Sequence, residues 1–238
     1  MNRPRFIFLN IGHAYDHLFM LLFPAAALHM EGQFDQPWGE LLVLSIPGFA
    51  AFAAGAIPAG GLGDRWSRSG MMAIFFVGIG TSSILTGLAR TEFEIAVGLF
   101  FIGLFASIYH PVGISMVVQG QDKVGRLLGI NGVWGNMGIA AAAFVAAALS
   151  EWISWRAAFY LPGGDSGGDR AGLSMGFALL AAGRQNRRSE EARYRRRHRF
   201  VARRAHGHVA GDRHSRHGGA ADRHRFPNHH HRPAKTVR

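Results

Sequence analysis

Three ionisable residues, His13, Asp16 and His17, stand inside an apolar stretch near the N-terminus. On a helix, His13 and His17 are four apart and Asp16 is three from His13, so they share a face. Such groups are costly in a membrane span and are candidates for function by default. They could handle protons or bind substrate beside a water-filled cavity, or simply hydrogen-bond to neighbouring helices. They could also hold a metal, but one helix supplies only two imidazoles and a carboxylate, and outside ligands would be needed. A second group is Ser107-Ile108-Tyr109-His110-Pro111. There a proline that removes a backbone hydrogen bond and kinks a helix stands next to a side chain that can titrate near neutral pH. That pairing suits a transport pathway, or a histidine satisfied between packed helices.

Further along, Gly129, Gly132, Gly135 and Gly138 recur every third residue, with Asn131, Trp134 and Asn136 between them. The spacing predicts a smooth face for close helix contact. Asn136 could line a cavity or bridge helices. Gly78-Ile79-Gly80 lacks the strand-turn-helix setting of a dinucleotide fingerprint. No catalytic triad, phosphate loop or carboxylate pair points to an enzyme, and no metal or other cofactor is expected. Cysteine is absent, which excludes disulfides and thiolate metal sites.

The elements that must carry these residues are long and apolar. A helix crosses the bilayer core with roughly 20 apolar residues. Five such spans can be drawn, at about 6–30, 38–60, 71–89, 93–118 and 127–149. A sixth should start near Trp155-Arg156-Ala157-Ala158-Phe159-Tyr160-Leu161-Pro162-Gly163. Between the second and third lies Pro58-Ala59-Gly60-Gly61-Leu62-Gly63-Asp64-Arg65-Trp66-Ser67-Arg68-Ser69-Gly70, which reads as a tight turn leaving the lipid. The N-terminal Arg3 and Arg5 before an apolar run could imitate a signal peptide, but further spans follow, so an uncleaved first span is expected. Six basic residues (Arg3, Arg5, Arg65, Arg68, Lys123, Arg126) fall on one side of the spans and two (Arg90, Arg156) on the other. That bias predicts a cytoplasmic N-terminus in a multi-pass plasma (inner) membrane protein.

Charge divides the 238-residue chain in two. Residues 1–163 carry eight Lys/Arg against nine Asp/Glu; residues 164–238 carry 18 against six, with nine of the 13 histidines. Gly164-Asp165-Ser166-Gly167-Gly168-Asp169-Arg170 would put charges into the sixth span and disrupt it, and the apolar piece 171–183 is too short to cross alone. Few large aliphatic residues follow Arg184, so the tail is expected to be disordered. Its Arg/His/Gly/Ala composition resembles out-of-frame translation of GC-rich DNA. His229-His230-His231 reads as a solvated run. Charge could attract nucleic acid or anionic lipid, yet the regular aromatic interleaving of single-strand binders is missing, so nucleic acid is not the expected partner.

Gly60-Gly61-Leu62-Gly63-Asp64-Arg65-Trp66-Ser67-Arg68 resembles the loop signature between the second and third helices of the major facilitator superfamily of secondary transporters. His13-Ala14-Tyr15-Asp16 with Pro24, and Tyr109-His110-Pro111, resemble the two patterns of its fosmidomycin-resistance-like branch, and Trp155-Arg156-Ala157-Ala158-Phe159 with Pro162-Gly163 resembles the entry to the sixth helix. The pattern departs at Ser67 and Ser69, and the fifth span lacks the Gly-Pro pair common in drug/proton antiporters. The resemblance implies an all-α membrane protein: the N-terminal six-helix half, over residues 1–163, of a twelve-helix fold with its substrate site between two halves. It implies proton-driven export of small molecules such as antibiotics, with protons, substrate, the bilayer and a second half or second copy as partners. Asp16 and His110 would couple protons; His13, His17, Tyr109 and Asn136 would line the cavity; Gly60, Gly63, Asp64, Arg65 and Arg68 would form the cytoplasmic gate motif. The alternatives are an inactive fragment and a half-transporter acting as a dimer.

Overall fold

The computed structural model describes residues 3–167. The basic region from residue 168 onward, on which the expectation of a disordered tail falls, lies outside the described residues.

Within them the chain is all helical, with five helices long and apolar enough to cross a membrane: Arg3–His29, Trp38–Arg65, Arg68–Leu88, Glu92–Val118 and Val124–Trp152. These are the five spans the hydropathy predicts, each longer at one or both ends or shifted by a few residues. A final helix, Ala157–Gly167, has 11 residues. At 1.5 Å per residue it is too short to cross alone. It runs four residues beyond Gly163, so the helical region extends slightly past the expected boundary.

Local chemistry sets the breaks. The third span starts at Ser67, whose Oγ accepts the Gly70 N–H at 3.1 Å. The fourth starts with a capping box: Thr91 Oγ1 accepts the Glu94 N–H, and a Glu94 carboxylate oxygen accepts the Thr91 N–H, each at 3.2 Å. These bonds occupy amide donors that a first helical turn leaves free. At the end of the third span, Arg156 donates to the carbonyls of Gly87 and Ala89. A cation at a helix C-terminus also complements the dipole there. The same guanidinium lies 4.3 Å above the Trp155 ring, and Trp155 Nε1 donates to Gln33 Oε1 at 2.9 Å. One side of the bundle is therefore tied together by Trp155-Arg156.

One expectation is overturned. The stretch Pro58–Gly70 is not a turn: the second span stays helical through Arg65, and the interruption is confined to Trp66-Ser67. Pro58, Gly60, Gly61 and Gly63 lie inside that helix. The reason is packing. Gly48, Ala51, Gly55, Ala59 and Gly63 are its buried residues, recurring every three or four positions along the face that meets the fourth span. Small residues there let two backbones approach. A Cβ on Gly63 would come within 2.9 Å of the Val112 side chain.

The first span packs chiefly on the fifth, the second on the fourth, and the third on the fourth and the final helix. Aromatic and aliphatic side chains fill the centre, among them Phe19, Phe23, Phe75, Ile79, Ile95 and Phe159. The second and fifth spans bury least, 22% of their most apolar window against 56% for the other three.

Candidate functional site

The buried groups Asn10, His13, Asp16 and Asn131 converge on one place, where the first, fourth and fifth spans meet; the buried hydroxyls of Ser82, Ser83 and Thr86 lie apart, on the third span. The fourth span is not a continuous α-helix there. Tyr109–Gly113 forms a π-helical turn, which widens the backbone ladder by one residue and accommodates Pro111. Such bulges recur at functional sites. The turn directs the Tyr109 and His110 side chains toward the first span.

Asp16 is completely buried, and His110 Nε2 lies 3.2 Å from its Oδ2. Neither carboxylate oxygen has a hydrogen bond of regular geometry, so the approach is a close polar contact rather than an aligned bond. His110 carries the open edge of the site, with 37% of its side chain exposed. The pair therefore joins a carboxyl in the bundle to a ring that reaches its surface.

The neighbouring imidazoles are ordered by hydrogen bonds. His13 Nδ1 donates to the Asn131 carbonyl at 2.8 Å, which leaves His13 Nε2 as an acceptor in the neutral ring. His17 Nε2 lies 3.2 Å from that atom and is the donor to it. The His13 ring stacks on Tyr109 at 4.9 Å and meets His110 edge-on at 5.4 Å. Tyr109 Oη donates to the Leu9 carbonyl at 2.7 Å and accepts from Asn131 Nδ2 at 2.9 Å. Asn131 Nδ2 also donates to Asn10 Oδ1 at 2.9 Å. One asparagine of the fifth span thus fixes Asn10, His13 and Tyr109 together.

Close approach of the first and fifth spans makes this possible. A Cβ on Gly138 would collide with the Ala14 carbonyl, and one on Gly135 would come within 2.8 Å of the His13 ring. Gly129 and Gly132 face open space instead. A three-residue step turns a helix by 300°, so glycines at every third residue drift around it by about 60° per step. The smooth face expected from 129 to 138 is therefore only partly used for contact. The buried line is Asn131, Gly135, Gly138, Ala142 and Ala146.

His13, Asp16, His17, Tyr109 and His110 are brought together as the sequence suggests. Asn136 is not: it is exposed, about 140° around the helix from Asn131. The sequence reading missed Asn10 and gave no role to Asn131. Both carried a signal, since Asn10 lies three residues before His13, and Asn131 lies one helical turn before Gly135 and two before Gly138.

The gate-motif residues form a second group. Arg68 donates to Asp64 Oδ1 at 2.8 Å, an ion pair one helical turn long that bridges the Trp66-Ser67 break. Arg65 is exposed, whereas Gly63 is buried. Gly60 and Gly63 face Pro111 and Val112, so this helix end rests on the π-helical turn that carries His110. An apolar groove of about 760 Å³ lies elsewhere, between the third and fourth spans, lined by Val77, Leu85, Phe93, Val97 and Phe101. It holds none of the buried polar cluster and reads as lipid-facing surface.

Five spans long enough to cross the bilayer make this a multi-pass membrane protein, and its polar chemistry sits between helices rather than in a catalytic cleft. No curated protein matches the chain. Comparison with protein families matches residues 16–167 to the Major Facilitator Superfamily, a range that begins at Asp16 and ends with the final described helix. Over that range the chain belongs to the Major Facilitator Superfamily, a family of membrane transporters and not of enzymes.

Proposed function

We propose that the chain is the N-terminal half of a proton-coupled exporter of small molecules, of the fosmidomycin-resistance-like branch. Asp16 and His110 exchange the coupling proton, and His13, His17 and Tyr109 shape the cavity wall beside them. Asn136, exposed on the fifth span and turned away from that wall, lines substrate space only where a second half or second copy covers its face. The observation that carries this reading is the buried Asp16 carboxyl with His110 Nε2 at 3.2 Å and no other regular partner. Isolated buried carboxyls facing a titratable ring are what a proton relay between helices requires.

The gate motif lies against the same turn, which supports coupling between the Asp64-Arg68 pair and the protonation of His110. Arg65 is free to reach across to a second half. The low burial of the second and fifth spans supports a face that takes such a half, or a second copy of this chain. The basic bias on one side supports an N-terminus in the cytoplasm and an inner-membrane location. The composition after residue 163 supports an out-of-frame origin for the tail. Translating the downstream DNA in all three frames tests that: a frame continuing with apolar helices supports it, and none doing so refutes it.

The transport reading is tested in liposomes holding a full-length relative, with fosmidomycin as the exported probe. The Asp16→Asn equivalent should abolish efflux driven by a proton gradient while leaving binding of the probe intact. Undiminished proton-driven efflux would overturn the role of Asp16.

A further inference from the structure

The sequence reading set a metal aside because the first span supplies only His13, Asp16 and His17, with no ligand from elsewhere. The fold supplies one. His110 of the fourth span joins them, and the ligand atoms of His13, His17 and His110 lie within 4.8 Å of one another. We infer that His13, His17 and His110, completed by Asp16, form a binding site for a divalent transition-metal ion.

Three features carry this. The first is spacing. Adjacent ligands around a tetrahedral ion with bonds of about 2.0–2.1 Å are about 3.3 Å apart. The His13 Nε2 to His17 Nε2 separation is 3.2 Å, and so is His110 Nε2 to Asp16 Oδ2. Two edges of the tetrahedron are therefore already near their final length, and the ligand atoms of the three histidines lie within 4.8 Å of one another, with Asp16 reaching the group through His110. The second is ligand orientation. His13 donates its Nδ1 proton to the Asn131 carbonyl, which leaves Nε2, facing His17 Nε2 at 3.2 Å, as the ligand atom. A backbone carbonyl on the distal nitrogen is the usual outer-shell support of a metal-bound histidine. The third is the carboxylate. Asp16 is wholly buried, and both its oxygens lack a regular hydrogen bond, so a ligand-capable group faces the imidazoles unsatisfied.

Three imidazoles and one carboxylate suit Zn²⁺, Co²⁺ or Ni²⁺; an all-oxygen set would be needed for Mg²⁺ or Ca²⁺. The ion replaces the contact between His17 and His13 and that between His110 and Asp16. It enters past His110, the partly exposed member. The inference stands on this geometry and does not require that protons drive transport.

The experiment is Co²⁺ titration of the full chain in detergent, followed by visible absorption, with His17→Gln and His110→Gln alongside. The tail's nine histidines are common to all three proteins, so the difference between them isolates the cluster. The wild-type chain should show the intense bands of four-coordinate Co²⁺, displaced by Zn²⁺ and not by Mg²⁺. Each variant should lose that component and bind more weakly by at least the ~10–100-fold that loss of an outer-shell partner alone causes. Circular dichroism and a single elution peak establish that the variants remain folded. Wild-type and variant spectra and isotherms that coincide would overturn the site. So would a wild-type spectrum with no four-coordinate component, which needs no variant at all.

Discussion

Removing a single oxygen atom tests the polar cluster. Tyr109→Phe keeps the ring, its stacking on His13 and nearly all its volume, and deletes only the hydroxyl. That hydroxyl makes two bonds in a fully buried setting, to the Leu9 carbonyl at 2.7 Å and from Asn131 Nδ2 at 2.9 Å. A buried hydrogen bond contributes about 0.5–1.5 kcal/mol net, so two give about 1–3 kcal/mol. Interhelical bonds in membranes average about 0.6 kcal/mol, which places the expected loss toward the lower end. Asn131 Nδ2 keeps Asn10 Oδ1 as an acceptor for one of its two N–H groups and loses the acceptor of the other, which adds to the loss. The assay is denaturant unfolding in detergent micelles, followed by the fluorescence of the five tryptophans. A second variant sharpens it: Asn131→Leu should cost less in the Tyr109→Phe background than in wild type, because the two residues share a bond. An unchanged midpoint for Tyr109→Phe, or strictly additive losses in the double variant, would refute the network.

Other perturbations follow from the same contacts. Gly138→Leu drives a side chain into the Ala14 backbone and should lower stability by about 1–3 kcal/mol or more, as overpacking does; an unchanged melting temperature in detergent would show that the first and fifth spans are not in close contact. Thr91→Ala removes the cap of the fourth span and should cost about 1 kcal/mol by thermal unfolding, with no change meaning that the cap is unimportant. Asp64→Asn breaks an exposed ion pair and should move stability by less than about 1 kcal/mol. The same change in a full-length relative should impair efflux, and a large stability loss with normal efflux would reverse that assignment.

The spans were legible because a hydropathy run is a local property and a bilayer imposes a minimum length on it. Their ends were less so. Gly60, Gly61 and Gly63 look like turn residues when read one at a time, but Gly60 and Gly63 serve close packing against the fourth span, while Gly61 is exposed. The repeat Gly48-Ala51-Gly55-Ala59-Gly63 was in the sequence and would have kept that stretch helical. The first-span triad His13-Asp16-His17 was legible because ionisable groups in apolar runs are rare. The meeting of His110 with that triad was legible only through the family resemblance, since the residues alone do not show a π-helical turn or which helices neighbour each other. Asn131 and Asn136 were indistinguishable as residue types. Only helical phase separates them, and it became decisive once Gly135 and Gly138 were seen to face the first span. A helix starting near Trp155 was foreseen from the apolar run, but its passage through Gly164–Gly167, where charge and glycine predicted a disruption, was not, because that stretch carries little intrinsic helix preference.

The central claim is that Asp16 takes up and releases a proton against His110. Infrared difference spectra of the purified chain in lipid, recorded between two pH values, observe that proton at the carboxyl itself. A carboxyl band present in wild type should vanish in Asp16→Asn and shift in His110→Gln, where the facing ring is lost. Spectra of wild type and Asp16→Asn that superimpose would mean that Asp16 does not titrate, and the coupling role would have to be given up.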